Sequence, residues 1–228
     1  MLFRSFLKSL AVGGTAALLL SGCGSSGKPA SSGSDTATPS VKLVASGFGQ
    51  QGQYVQGIAI VTSDNPATAG HGVTATANFM DAAGNIIATE NQVETISWPN
   101  QQLVLPIWLD LTSKPDTKVA SIDVSVSVND YPTEARDLAP LPVLDASEVR
   151  PGPYGGYEAA FMFTNNTTED LKDLRVGVVC YSAAGEIIGG SSEYPSLAPA
   201  GKSIRIATSI LKVSGEPKTC KAFPNYGL

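Results

Sequence analysis

The feature that most constrains the fold of this chain is that it repeats itself once, at a spacing near 101 residues. Residues 73–89 read VTATANFMDAAGNIIAT, and residues 174–190 read LRVGVVCYSAAGEIIGG. Ala82-Ala83-Gly84 falls opposite Ala183-Ala184-Gly185, and Ile86-Ile87 opposite Ile187-Ile188, without a gap. Ile58-Ala59-Ile60-Val61 meets Ala160-Phe161-Met162-Phe163 with a one-residue shift, and Pro99 before Val104 matches Pro199 before Ile204. A chain of 228 residues has room for two copies of one folded unit at this period. The sequence predicts a duplicated domain.

Each copy reads as β-strands. Residues 74–80 and 175–181 alternate small or polar with apolar side chains, a period of two, and no stretch after residue 40 sustains a helical period. Asp81-Ala82-Ala83-Gly84 and Ser182-Ala183-Ala184-Gly185 suit a type I turn, with an oxygen-bearing side chain at the first position and glycine at the left-handed one. The isoleucine pairs then begin the return strands of two hairpins. Leu103, Leu105, Ile107, Leu109 and Leu111 make one apolar face, while Pro106 on the other argues for a sheet edge. Residues 122–128 (IDVSVSV) should close the first copy with its valines inward. The expected fold class is all-β, two tandem β-sandwiches over 41–130 and 141–228, joined by a proline-rich linker at 131–140.

The N-terminus says where such a pair would work. Arg4 and Lys8 precede a short apolar run from Leu10 to Leu20, too short and too rich in small residues for a permanent span. Leu20-Ser21-Gly22-Cys23 then matches a bacterial lipobox, predicting a signal peptide over 1–22 and a diacylglycerol-modified Cys23 as the mature N-terminus. An ordinary signal peptide with a chance cysteine, or a short membrane anchor, is the alternative. Residues 23–40 after the cut are almost all Gly, Ser, Thr and Pro, a flexible tether that cannot bury enough surface to offset its own ordering. The expected location is the extracytoplasmic face of the cell membrane, held there by lipid.

Beyond the signal, 13 basic residues face 20 acidic ones, a net charge of −7. That leaves no electrostatic footprint for nucleic acid, so attachment to the membrane has to come from the acyl chains. Of three cysteines, lipid would consume Cys23, and Cys180 and Cys220 remain as an expected disulfide in an oxidising compartment. Two buried thiols or a metal pair are the alternatives, the latter poorly supplied because His71 is the single histidine.

At the hairpins the residues resemble a known family. A small residue, an alternating strand, then an aromatic before Asp-Ala-x-Gly and an aliphatic pair is similar to the FxLYD-type domain of bacterial envelope lipoproteins. The resemblance covers about residues 41–228. Copy one keeps Asp81 and Gly84 but has Ala77, Phe79 and Met80 at the motif's Phe, Leu and Tyr; copy two keeps Tyr181 and Gly185 but has Val178, Cys180 and Ser182. The resemblance implies immunoglobulin-like sandwiches, often in tandem behind a lipobox, with no catalytic residues to carry over.

Motifs for other chemistry have better structural explanations. Gly47-x-Gly49-x-x-Gly52 formally matches a dinucleotide fingerprint, but a strand rather than a helix follows it, so a glycine-rich strand connection is expected and no nucleotide. His71 has no partner motif for nucleophilic catalysis and reads as a surface turn residue. Asp81, Glu90, Glu94, Asp110, Asp123 and Asp130 are dispersed, without the spacing of a glycosidase pair or calcium loop. Asn165 and Asn166 head formal glycosylation sequons, but in a bacterial chain they read as a loop.

Trp98 and Trp108 are the two tryptophans, both in the first copy. Each can be a core residue or an anchor for a partner protein or a sugar. Residues 41–130 carry three basic and eight acidic residues, net −5, against net −1 over 141–228. The first copy, at the edge presenting Trp98, is therefore the expected interaction surface. The expected function is a non-enzymatic protein-interaction or scaffolding module of the envelope, without cofactor or catalytic residues and with an envelope protein as partner. An envelope ligand-binding receptor or hydrolase lacking a sequence signature is the alternative, and a pocket with convergent polar groups would favour it.

Overall fold

Alternation in the sequence becomes alternation in burial. The structure, a computed structural model, describes residues 38–132, 138–153, 156–208 and 211–227; the expected signal peptide, Cys23 and most of the expected tether lie outside these. The described chain is all-β, and its one helical element is a 3₁₀ turn at Pro66–Thr68. In strand His71–Met80 the side chains of Val73, Ala75, Ala77 and Phe79 have no exposure, while Thr74, Thr76 and Asn78 between them stay half-buried. That is the pleat of a strand with one face on a core.

The first half has six strands, β1 (Lys42–Gln51), β2 (Tyr54–Thr62), β3 (His71–Met80), β4 (Ile86–Thr95), β5 (Leu103–Asp110) and β6 (Ser121–Pro132). They form two antiparallel sheets, in the orders β1-β2-β5 and β4-β3-β6. The second half has β7 (Leu144–Asp145), β8 (Glu148–Pro151), β9 (Tyr157–Thr164), β10 (Leu171–Lys172), β11 (Arg175–Tyr181) and β12 (Ile187–Glu193). It continues with β13 (Leu197–Ala198), β14 (Ser203–Ala207), β15 (Lys212–Val213) and β16 (Thr219–Asn225). Its sheets run β8-β9-β14 and β15-β12-β11-β16-β7, with β10 and β13 a separate pair. At the offset read in the sequence, β1-β2-β5 corresponds to β8-β9-β14, and β4-β3-β6 to β12-β11-β16.

Both hairpins close by the chemistry expected of them. Asp81 Oδ1 accepts from the backbone N–H of Ala83 and of Asn85, both at 2.9 Å, and Gly84 takes φ 82°. Ser182 Oγ accepts from Ala184 and Glu186 at 3.2 and 3.3 Å, and Gly185 takes φ 81°. Pro106 does lie on an edge strand, β5, which pairs with β2 alone. The five odd-numbered residues of Leu103–Leu111 all enter the first core, joined by Val55, Val61, Phe79 and Ile96. In β6, Ile122, Val124 and Val126 pack against that core and are partly buried. Phe161, Phe163, Leu174, Val178 and Leu211 centre a second core in the second half.

A third cluster joins the two halves. Ile58, Ile60 and Val104, on the outer face of β1-β2-β5, meet Val179 and Phe223, on the outer face of the five-stranded sheet. Two sheets are thus buried on both sides, and β2 and β11 are buried along nearly their whole length. Fully burying one such side chain contributes about 1.5–3 kcal/mol. The layers stack as β4-β3-β6, β1-β2-β5, the five-stranded sheet, then β8-β9-β14, and residues 36–228 make one compact unit.

Two segment boundaries move. The tether as read extends to residue 40, but Thr38 O accepts from Asn65 Nδ2 at 2.7 Å, and Ser40 N–H donates to Thr68 Oγ1 at 3.0 Å. Asn65, which caps the 3₁₀ turn, and Thr68, its last residue, therefore hold residues 38–40 to the fold. At the linker, β6 runs on to Pro132, opposite His71, and the Tyr226 hydroxyl donates to Ala139 O at 2.7 Å. Of the expected linker, residues 133–137 lie outside the described ones.

Candidate functional site

The glycine motif at the start of the first half is explained by the seam. Gly47 and Gly49 sit in β1 against β12 and β15 of the second half. A Cβ on Gly47 would stand 2.6 Å from Ile187 Cβ, and one on Gly49 would run into the backbone oxygens of Lys212 and Ile188. Only glycine lets these backbones approach so closely. Gly52, at φ 61°, makes the β1–β2 turn.

The two tryptophans, both candidate anchors, differ sharply in exposure. Trp98 is 9% exposed, edge-on to Tyr226 with ring centroids 6.0 Å apart. It is part of the contact between the halves, so the expected Trp98 interaction edge is overturned: the side chain is consumed inside the molecule. The sequence placed Trp98 at a strand connection, and the missing information was that the second half packs over that connection. Trp108 is 46% exposed although it lies in a strand. It projects from the same face of β5 as Val104 and Pro106, near the limit of what the second half covers.

Register explains what surrounds Trp108. Gln56 of β2 is its direct cross-strand partner, and Tyr54 is the diagonal neighbour, within reach of an aromatic ring. Tyr54 stacks on the indole with centroids 5.4 Å apart and planes 26° from parallel. From β15, Lys212 Nζ sits 5.6 Å from the Tyr54 ring centroid and 5.9 Å from that of Trp108. Cation–π attraction favours this placement, and burial holds the ammonium pKa below the usual lysine range.

Beside this cluster a cleft of about 350 Å³ opens between the halves, bordered by Gln56, Gln92, Trp108, Ser191, Glu193 and Lys212. Burial raises the Glu193 pKa, partly offset by a hydrogen bond that its Oε1 accepts from Ser191 Oγ at 3.1 Å. Nearby, Glu94 of the first half pairs with Arg175 of the second, at 3.2 Å. Desolvation still outweighs the guanidinium, and the Glu94 carboxyl is pushed up. The Arg175 guanidinium also lies 5.8 Å from the centroid of the Tyr194 ring. β15 pairs with β12 only at Gly189 and Gly190, so β12 meets the cleft beyond the end of that ladder.

The remaining sequence-predicted residues take structural places. Cys180 and Cys220 are directly opposite in β11 and β16 and form a disulfide, with Cα atoms 4.1 Å apart. Both belong to the second core, and the bridge joins neighbouring strands of one sheet. Asn165 is fully buried; its Nδ2 donates to Glu169 O and Ala198 O, each at 2.8 Å, which spends its amide on the loop. His71 is not a turn residue: it begins β3, half-buried, with Nδ1 3.1 Å from Asn129 O. Among the described residues, no group of three or more His, Cys, Asp or Glu could hold a metal ion, and no helix is long and apolar enough to cross a membrane. Comparison with protein-family models and with characterised proteins finds no family model and no protein that matches this chain.

Proposed function

We propose that this protein is a lipid-anchored module of a bacterial cell envelope: two FxLYD-type, immunoglobulin-like sandwiches that act in binding or scaffolding rather than catalysis. The immunoglobulin-like reading is supported by strand order. In each half the first, second and fifth major strands share one sheet and the fourth, third and sixth the other. Strands A, B, E and C′, C, F of an immunoglobulin-type sandwich divide in the same way. The Cys180–Cys220 bridge departs from that fold's inter-sheet disulfide, since it lies within one sheet.

The observation that carries the binding role is the Tyr54–Trp108–Lys212 cluster. A half-exposed tryptophan, stacked on one side and drawn to a cation contributed by the other half, is a preorganised aromatic surface at the edge of a seam. Such a surface binds at low cost in side-chain ordering. The lipid anchor would hold this surface on the extracytoplasmic face of the membrane, at the end of a Gly/Ser-rich tether.

The anchor is tested with Cys23→Ser, fractionating cells into membrane and soluble material. Release of the protein, or an uncut precursor, is the expected result. A normal mature form recovered on the membrane overturns the anchor.

A further inference from the structure

One side chain that lines the junction cleft keeps an acceptor that the described chain does not use. Gln56 is 4% exposed, and its single hydrogen bond is a long one, 3.4 Å, from Nε2 to Gly57 O. Among the described residues nothing donates to its Oε1. No buried side-chain oxygen or nitrogen among the described residues lacks a partner, so this oxygen keeps solvent contact at the cleft, where a donor brought by a ligand can take the place of water. Glu193 offers a second such acceptor, because its Oε1 takes the Ser191 hydroxyl while Oε2 takes nothing from the described chain. Lys212 Nζ faces two aromatic rings and forms no ion pair among the described residues. The cleft has one cation, one anion, two amides and an indole face in about 350 Å³, at the small end of the roughly 300–1,000 Å³ typical of ligand sites.

We propose that this cleft binds a neutral, hydroxyl-rich saccharide, with a β-linked, gluco-configured ring seated against Trp108. This deepens the binding role proposed above by naming its ligand class, and it rests on that reading of the junction. A sugar with equatorial hydroxyls presents C–H groups on its flat faces, which suit an exposed indole. Each hydroxyl both donates and accepts. One vicinal pair can supply the donors that Gln56 Oε1 and Glu193 Oε2 lack, while Lys212 donates to a sugar oxygen. A proline-rich peptide would also suit aromatic rings, but proline has no N–H to give to Gln56 or Glu193. An anionic ligand would set its charge against Glu193, and a cationic one against Lys212.

The test is isothermal calorimetry on the full chain, titrated separately with cellotriose, chitotriose, maltotriose and a proline-rich decapeptide. Saturable binding of a β-linked trisaccharide, with Kd of about 0.1–5 mM, is expected. Trp108→Ala should weaken it about tenfold or more, and Gln56→Leu by a similar factor. Trp98→Phe should bind as the unmodified protein does, which separates loss of the site from loss of the fold. The proposal is overturned if neither β-linked sugar binds at about 20 mM, or if Trp108→Ala binds equally well. Saturation by the peptide alone, or equal affinity for maltotriose, overturns it too. None of these results touches the Cys23 anchor, which the fractionation decides independently.

Discussion

Asn225 Oδ1, on the last strand of the second half, accepts a hydrogen bond from Gln101 Nε2 of the first half at 2.9 Å, and both residues are almost fully buried. The same oxygen accepts from Ser97 Oγ at 2.7 Å, while Asn225 Nδ2 donates to Thr95 O at 2.9 Å. One side chain therefore serves three groups of the other half. The apolar seam of Ile58, Ile60, Val104, Val179 and Phe223 supplies the attraction, and this polar lock fixes the register.

Replacing Asn225 with Leu leaves Gln101, Ser97 and Thr95 each short of a partner inside the seam. At about 1–3 kcal/mol for an unsatisfied buried group, with part recovered by relaxation, the expected loss is about 2–4 kcal/mol. Urea denaturation followed by tryptophan fluorescence measures it, since Trp98 reports directly on this contact. A change below about 0.5 kcal/mol would mean the lock contributes nothing.

The seam also predicts a size limit at Gly177. A Cβ there would stand 2.7 Å from Val104 Cβ across the halves. Gly177→Ala should cost about 1–3 kcal/mol through overpacking. Val104→Ala alone also destabilises, by removing methyl groups from the same seam. The double variant should be less destabilised than the sum of the two, because the smaller side chain makes room for the new methyl. Simple additivity in that cycle would show that residues 104 and 177 do not press on one another.

How much of this was legible in the sequence depends on whether a residue answers to its own strand or to a distant one. The hairpin turns were legible because Asp81, Gly84, Ser182 and Gly185 act on backbone groups a few residues away. The disulfide was legible by elimination among three cysteines. The stacking of the halves was not, because face-to-face packing leaves no periodic mark. Its traces are the absence of alternation in Ile58-Ala59-Ile60-Val61 and the glycines at 47, 49 and 177, each with a local explanation as well. The burial of Trp98 was not legible for the same reason, since exposure at both tryptophans is set by where the second half ends. Gln56 carries no sequence signal at all. It stands out only when its burial and its missing donor are seen together.

The Cys180–Cys220 bridge closes a separation of 40 residues within the second half. The chain-entropy model assigns such a loop about 4 kcal/mol of stabilisation through restriction of the unfolded chain. Reduction should lower the urea midpoint accordingly while leaving the slope changed only by the expansion of the unfolded state. Titration of the unreduced, unfolded protein should find neither thiol free. Two reactive thiols would remove the bridge.

Glu193 gives the stability of the protein a pH dependence whose sign is fixed by burial. An ordinary glutamate titrates near 4.5, and desolvation raises the Glu193 carboxyl above that in the folded state. Between the two values the native form holds a proton that the unfolded form has lost. Stability therefore falls as pH rises through that window and settles at its lower level above the folded pKa. Glu193→Gln removes the titration while keeping an oxygen for the Ser191 hydroxyl. The variant should match the unmodified protein least well at pH 7, where it is the more stable of the two. The gap should shrink as pH falls through the folded pKa, toward a constant offset below about pH 4. Glu94 is raised too, but it answers to Arg175, so it contributes equally to both proteins and cancels in the comparison. A gap that widens on acidification would mean that the Ser191 hydroxyl, not desolvation, governs this carboxylate.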